Sequence, residues 1–324
     1  MSLISFVTLL LSEASIMGEV SKTPLNREHY RAIRQIEQLG GTVYLKSVST
    51  QDPDACCPLC GSRQKEEVEA IHIEGERFTD AQLELLAPFR SHVPDFIGVE
   101  RSGVSAEGVR RLLREFPSLR HFAMRSPFLG DEALTELHLL KDLEDLDLSD
   151  SKITSVTLGR VAGLKRLRVL FVSNTAVDDA GLRHLEGLSE LEWLWLDGTK
   201  VTSAGMASLA KLKKLDTLLL HNTQVDDNGI AVLKALPRLK ALRLCHTQIS
   251  NEALVHLRQM ESLEQLSLNG TRIDIRGLNM LQDHPKLRDL SAEETQVSER
   301  ELRRFMKTLR ANQKQPQREQ SRQQ

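Results

Sequence analysis

A chain of 324 residues, 40% of them hydrophobic, has the length and apolar content for one elongated domain. Its 43 Lys and Arg nearly balance 45 Asp and Glu, which argues against a dedicated nucleic-acid binder, and its four cysteines are too few for a disulfide scaffold. Residues 1–16 come first, and their apolar run from Leu3 to Leu11 is too short to span a bilayer. The run resembles a signal-peptide core, yet no Lys or Arg precedes it and Glu13 falls where a cleavage region would lie. The expectation is a cytoplasmic protein with no membrane span. Export is the alternative, and a translation start at Met17 is a third reading.

Residues 17–46 read as an N-terminal cap. Tyr30, Ile33, Ile36 and Leu39 have helical spacing, Gly40-Gly41 stops the helix, and Val43-Tyr44-Leu45 reads as a strand. Residues 47–67 read as a loop insertion carrying Cys56, Cys57 and Cys60. Cys57 and Cys60 have the C-x-x-C spacing of half a zinc knuckle, but structural zinc takes four ligands and no second C-x-x-C follows. Zinc completed by Cys56, His72 or His92, a redox pair, and a plain loop all stay open. The first two define an alternative function as a metal- or redox-active protein.

From residue 68 to residue 309 the chain repeats. Leu143, Leu167, Leu191, Leu215, Leu239 and Leu263 are spaced 24 residues apart, and each opens a unit reading L-x-x-L-x-[LV]-x-x-[ST]-x-[IV]. Rougher copies start near Val68, Pro94 and Leu119, and a more polar one at Leu287. We number each unit from its first Leu as position 0. Positions 0, 3 and 5 are apolar, as in Leu191, Leu194 and Leu196, and belong to a short strand. Position 8 is a hydroxyl in Ser151, Thr175, Thr199, Thr223, Thr247, Thr271 and Thr295, placed to bond backbone where the strand turns. Position 11 is an N-cap residue (Thr154, Asp178, Thr202, Asp226, Ser250, Asp274, Ser298), and a helical apolar pattern follows it. A strand, a turn and a helix that cannot bury their own apolar faces must stack.

The units resemble bacterial leucine-rich-repeat proteins with the pattern L-x-x-L-x-L-x-x-T-x-[IV]-[TD]-x-x-G-L-x-x-L. They are also similar to the cysteine-containing repeat class of F-box adaptors, with Thr where that class usually has Cys. The resemblance implies an α/β leucine-rich-repeat solenoid, a horseshoe with a parallel sheet on its concave face and helices on its convex face. It further implies a protein that acts by binding. A substrate-recognition adaptor of a ubiquitin ligase is a further alternative, although no F-box-like segment is apparent before the repeats. Residues 310–324 carry a basic, Gln-rich composition expected to be a disordered tail.

Nothing resembles a nucleophile elbow, a phosphate loop or a paired-carboxylate centre, so neither an enzyme nor a small-molecule substrate is expected. His221 and Cys245 at position 6, with His246 beside them, make only a scattered ligand set. Positions 2 and 4 point out of the strands and should be polar, as Asp145 and Asp147 are. Three consecutive units break that rule with Val169 and Phe171, then Trp193 and Trp195, then Thr217 and Leu219. The chain's two tryptophans share one unit. Each aromatic offers about 150–250 Å² of contact area. The expectation is an exposed aromatic strip that anchors a protein or peptide ligand, rimmed by Asp145, Asp147 and Asp197 on one side and by His221 and Arg243 on the other. The competing reading is a set of cross-strand pairs that stiffens the sheet.

Overall fold

Each unit contributes a strand of a few residues, and the strands join in sequence order into one sheet of 11. The structure is a computed structural model and describes residues 25–49, 64–91 and 93–320. The strands are β1 (Thr42–Ser49), β2 (Gln64–Glu74), β3 (Phe96–Glu100), β4 (His121–Arg125), β5 (Asp145–Asp147), β6 (Val169–Phe171), β7 (Trp193–Trp195), β8 (Thr217–Leu219), β9 (Ala241–Arg243), β10 (Gln265–Ser267) and β11 (Asp289–Ser291). β1 and β2 pair antiparallel, and the pairings from β2 to β11 are parallel. The parallel register has no offset, so Leu146, Leu170, Leu194, Leu218, Leu242, Leu266 and Leu290 lie side by side. Like positions therefore stack on like, and the inward leucines form continuous buried rows. In the rung at 191, Leu191, Leu194, Leu196, Val201, Met206, Leu209 and Leu212 are all fully buried. Each such side chain contributes about 1.5–3 kcal/mol of transfer free energy. That gain is realised only when the neighbouring rungs are present. This is a leucine-rich-repeat solenoid.

The strand ends are turned by local chemistry. Position 8 hydroxyls donate to the carbonyl of position 5 in their own rung, as Thr175 Oγ1 does to Val172 O at 2.6 Å and Thr223 Oγ1 to Leu220 O at 2.7 Å. The residue just before is left-handed throughout: Asp150, Asn174, Gly198, Asn222, His246, Gly270 and Glu294 all have φ between 52° and 66°. Gly fits there without cost and Asn and Asp tolerate it, whereas His246 and Glu294 hold it against their steric preference. Position 11 side chains accept from helix N–H groups, as Asp226 does from Asn228 and Gly229. The convex elements that follow are short α-helices or single 3₁₀ turns, among them Asp227–Leu233 and Asn251–Leu257.

Polar groups join the rungs in an alternating pattern. Thr154, Thr202 and Ser250 donate to Asp131, Asp179 and Asp227 of the rung before. Ser155, Ser203 and Asn251 donate to Asp178, Asp226 and Asp274 of the rung after. Position 1 is paired two rungs at a time, Arg120 with Glu144, Arg168 with Glu192, Lys240 with Asp216 and Arg288 with Glu264, with the acids Glu192 and Asp216 in adjacent rungs between two of the pairs.

Both ends of the apolar rows are covered. Helix Arg27–Gln38, capped by Asn26, buries Ala32, Ile33 and Ile36. The chain then turns through Gly40 at φ +100° and Gly41, where an added Cβ would lie 2.7 Å from His72 O. The strands of the following hairpin run to Ser49 and from Gln64, so they occupy both ends of the span 47–67 that reads as an insertion. Cys56, Cys57 and Cys60 lie outside the described residues. At the other end, helix Glu299–Gln320 continues through most of the segment expected to be a disordered tail. Gln, Lys, Arg and Ala are good helix formers. Asn312 and Gln313 also tie the helix to the last two rungs by donating to Gln282 O and Leu287 O. Among the described residues, no helix is long and apolar enough to cross a membrane.

Candidate functional site

The in-phase register lays the outward side chains in rows along the concave sheet. Position 2 runs Phe96, His121, Asp145, Val169, Trp193, Thr217, Ala241, Gln265 and Asp289. Position 4 runs Gly98, Ala123, Asp147, Phe171, Trp195, Leu219, Arg243, Ser267 and Ser291. Neighbours in a row are about 4.8 Å apart, which is within van der Waals reach of large side chains.

At the N-terminal half the rows hold a buried polar network. Asp145 is 7% exposed and binds Nδ1 of His121, and Asp147 is 5% exposed and accepts from Arg125 Nε at 2.8 Å. Neither aspartate is a rim group available to a partner, contrary to expectation, because a residue one rung earlier, His121 or Arg125, has taken each. Burial raises the Asp147 carboxyl above its ordinary range, with Arg125 opposing that rise. Glu100, beside Arg125, is pushed up to about 7 by burial, while Arg125 and Arg101 oppose and Asp147 and Glu74 add to the rise. His72 is lowered to about 4 by burial and then by Arg125, and its ring stacks on Phe96 with centroids 5.4 Å apart. Its Nε2 lies 3.8 Å from Glu100 Oε1. Glu100, His121 and Arg125 were not singled out as site residues from sequence, and His72 was named only as a possible zinc ligand. Polar residues at outward positions read as solvated, and only the row alignment brings these together.

The middle rungs correct the picture of a fully exposed strip. Val169, Phe171 and Leu219 are buried, at 7%, 1% and 5% exposure, and Phe171 stacks on Trp195 with centroids 3.8 Å apart and planes 17° from parallel. Trp193 and Trp195 remain half-buried and pack against Val169 and Phe171. Apolar side chains one strand spacing apart cover one another, so the cross-strand reading accounts for Val169, Phe171 and Leu219. The tryptophans are the part of the cluster that solvent still reaches.

Beyond them, Asp197 accepts from the His221 backbone N–H at 2.8 Å, and burial raises its carboxyl. His221 Nδ1 accepts from Cys245 N–H at 3.2 Å, which leaves the ring hydrogen on Nε2, and burial lowers its affinity for a second proton. Cys245 is buried, and burial pushes its thiol up. Among the described residues, no three His, Cys, Asp or Glu side chains are grouped to hold a metal ion. Arg243 is exposed, at the mouth of a cavity of about 440 Å³ bounded by β10, β11 and the C-terminal helix. Arg310 of that helix lines the cavity too, a position that reading the segment as a tail boundary does not find.

No protein-family model matches the chain, and no curated protein matches it. Solved structures do. An internalin (inlF) of Listeria monocytogenes strain 4b F2365 aligns over 71% of this chain and 68% of its own, with 17% identity and a TM-score of 0.53. An internalin C2 (inlC2) of the same strain aligns over 59% of this chain and 76% of its own, with 23% identity and a TM-score of 0.46. The likeness to the first is one of fold: a leucine-rich-repeat solenoid, carrying here a buried charged network, a tryptophan pair and a basic cavity in succession along its concave sheet.

Proposed function

We propose that this chain is a non-enzymatic scaffold that captures a protein or peptide partner on its concave face, centred on Trp193 and Trp195. The observation that carries this reading is the packing of the pair. Both indoles are half-buried against Val169 and Phe171 yet still reach solvent in the middle of the sheet. A ring held by its neighbours loses little freedom when a partner covers it, and tryptophan is enriched where binding energy concentrates. Asp197, His221 and Arg243 supply polar groups at the edge of this platform.

The test must preserve the cover over Phe171, so both tryptophans are replaced by leucine rather than alanine. Trp193→Leu/Trp195→Leu is expected to keep the far-ultraviolet spectrum and cooperative melting of the parent. It should lose at least about tenfold in partner capture from native extract, equivalent to about 1.4 kcal/mol. Equal capture by the folded double variant removes the proposal.

A further inference from the structure

Cations at position 1, just before the strands, and Arg125 within β4 follow a rule. Arg120, Arg168, Lys240 and Arg288 at position 1 each meet a carboxylate in an adjoining rung, and Arg125 meets Asp147. Arg243 breaks it. It stands exposed at position 4 of β9, and the residue beside it in β10 is Ser267 rather than an acid. Arg310 of the C-terminal helix also lines this cavity, and among the described residues neither arginine forms an ion pair with a carboxylate, although the field of Arg243 opposes the rise of the Asp197 carboxyl. Arg288 lines the same cavity, with Glu264 at 3.6 Å. One carboxylate, Asp289, belongs to the lining, against three guanidinium groups.

We infer that this cavity is an anion subsite that receives a carboxylate side chain of the polypeptide bound on the concave face; the inference rests on the proposed function above. Three features point to that ligand. The cavity is lined by arginines from a strand and from a helix, and planar guanidinium forks suit a group with two equivalent oxygens. The partly exposed apolar surface of Leu290 and Met306 alongside them suits the methylenes of a Glu or Asp side chain. The cavity is also continuous with the aromatic platform. Trp195, Leu219 and Arg243 are consecutive members of one row. They place the platform and the first guanidinium about 10 Å apart at about 4.8 Å per strand. An apolar anchor and an acid at that separation lie about three residues apart in an extended segment or about two turns apart in a helix.

The subsite is tested on the full chain with defined probes, by following arginine side-chain resonances of ¹⁵N-arginine-labelled protein at low salt. Blocked triglutamate is expected to shift the Arg243 and Arg310 signals saturably. Blocked triglutamine should leave them in place, and inorganic phosphate should bind more weakly than triglutamate. Arg243→Gln/Arg310→Gln, at two exposed positions, should retain the fold and bind triglutamate at least about tenfold more weakly. An absent shift, an equal response to triglutamine, tighter binding of phosphate, or undiminished affinity in the double variant each overturns the assignment. The two readings fail separately. Triglutamate binding should survive Trp193→Leu/Trp195→Leu, so loss of the subsite leaves the tryptophan platform standing, and unchanged partner capture by that variant leaves the subsite standing.

Discussion

Arg125→Met is expected to destabilise the folded chain by about 3–5 kcal/mol at pH 8, because it strands a buried carboxylate. Asp147 is 5% exposed and its charge is met by Arg125 Nε at 2.8 Å and by the Ser149 backbone N–H at 2.9 Å. Glu100 draws on the same guanidinium. Without it, both carboxyls are raised further, and the folded state can keep them only by holding protons. A raised carboxyl contributes stability that is present at low pH and is lost as pH rises through its folded value. The deficit of the variant should therefore be small at pH 5 and grow towards pH 8. Arg125→Met/Asp147→Asn should recover most of the loss, since replacing both partners of a buried pair with neutral groups is often close to neutral. Urea unfolding at the two pH values measures this, and a loss independent of pH, or one that Asp147→Asn does not relieve, shows that Arg125 acts through packing instead.

Opposite changes of pH slope relative to the parent are expected for Glu100→Gln and His72→Gln, because the two contributions run against each other between pH 4.5 and 6.5. Glu100 is raised from 4.5 to about 7, so its contribution is full below pH 4.5 and is lost as pH rises through about 7. His72 is lowered from 6.5 to about 4, so its contribution is full above pH 6.5 and is lost as pH falls through about 4. Each displacement corresponds to about 3 kcal/mol, and where the windows overlap the two trends cancel. Removing the carboxyl leaves the histidine trend, and Glu100→Gln should gain about 3 kcal/mol from pH 4 to 6.5 and hold that gain at pH 8. Removing the imidazole leaves the carboxyl trend, and His72→Gln should lose stability steadily from pH 4.5 to 7. Parallel pH profiles in the two variants would falsify this account.

The inward half of each strand was legible in the sequence because burial is decided by position alone. Leu194 lies between Leu170 and Leu218 in any in-phase stack, whatever else the rungs carry. The outward half was less so. Whether Phe171 is exposed depends on Trp195 one rung later, and whether Asp145 is free depends on His121 one rung earlier. These are contacts between residues 24 apart that no pattern within a single unit contains. The left-handed turn residue escaped notice for a different reason. Asp, Asn, Gly, His and Glu all occupy it, so no shared composition marks the position. At the C-terminal end, local composition gave a tail, while the anchoring of Asn312 and Gln313 on the last two rungs gives a helix that carries Arg310 to the concave cavity.

The alternating junctions give the array a parity. Rungs with Asp178-Asp179 or Asp226-Asp227 sit between rungs with Thr154-Ser155, Thr202-Ser203 or Ser250-Asn251, so each carboxylate on that edge meets a hydroxyl or amide. Position 1 is matched in the same pairwise fashion. Excising one rung of this stretch would set aspartates against aspartates or hydroxyls against hydroxyls at the new junction, although every leucine would still find its row. Excising two would restore the junctions of hydroxyl and carboxylate, and position 1 also keeps its partners when the two rungs are a bonded pair such as those of Arg168 and Glu192. The apolar rows make the solenoid extensible by single units, but its polar edge counts in twos, and the protein can lengthen or shorten without electrostatic mismatch only by pairs of rungs.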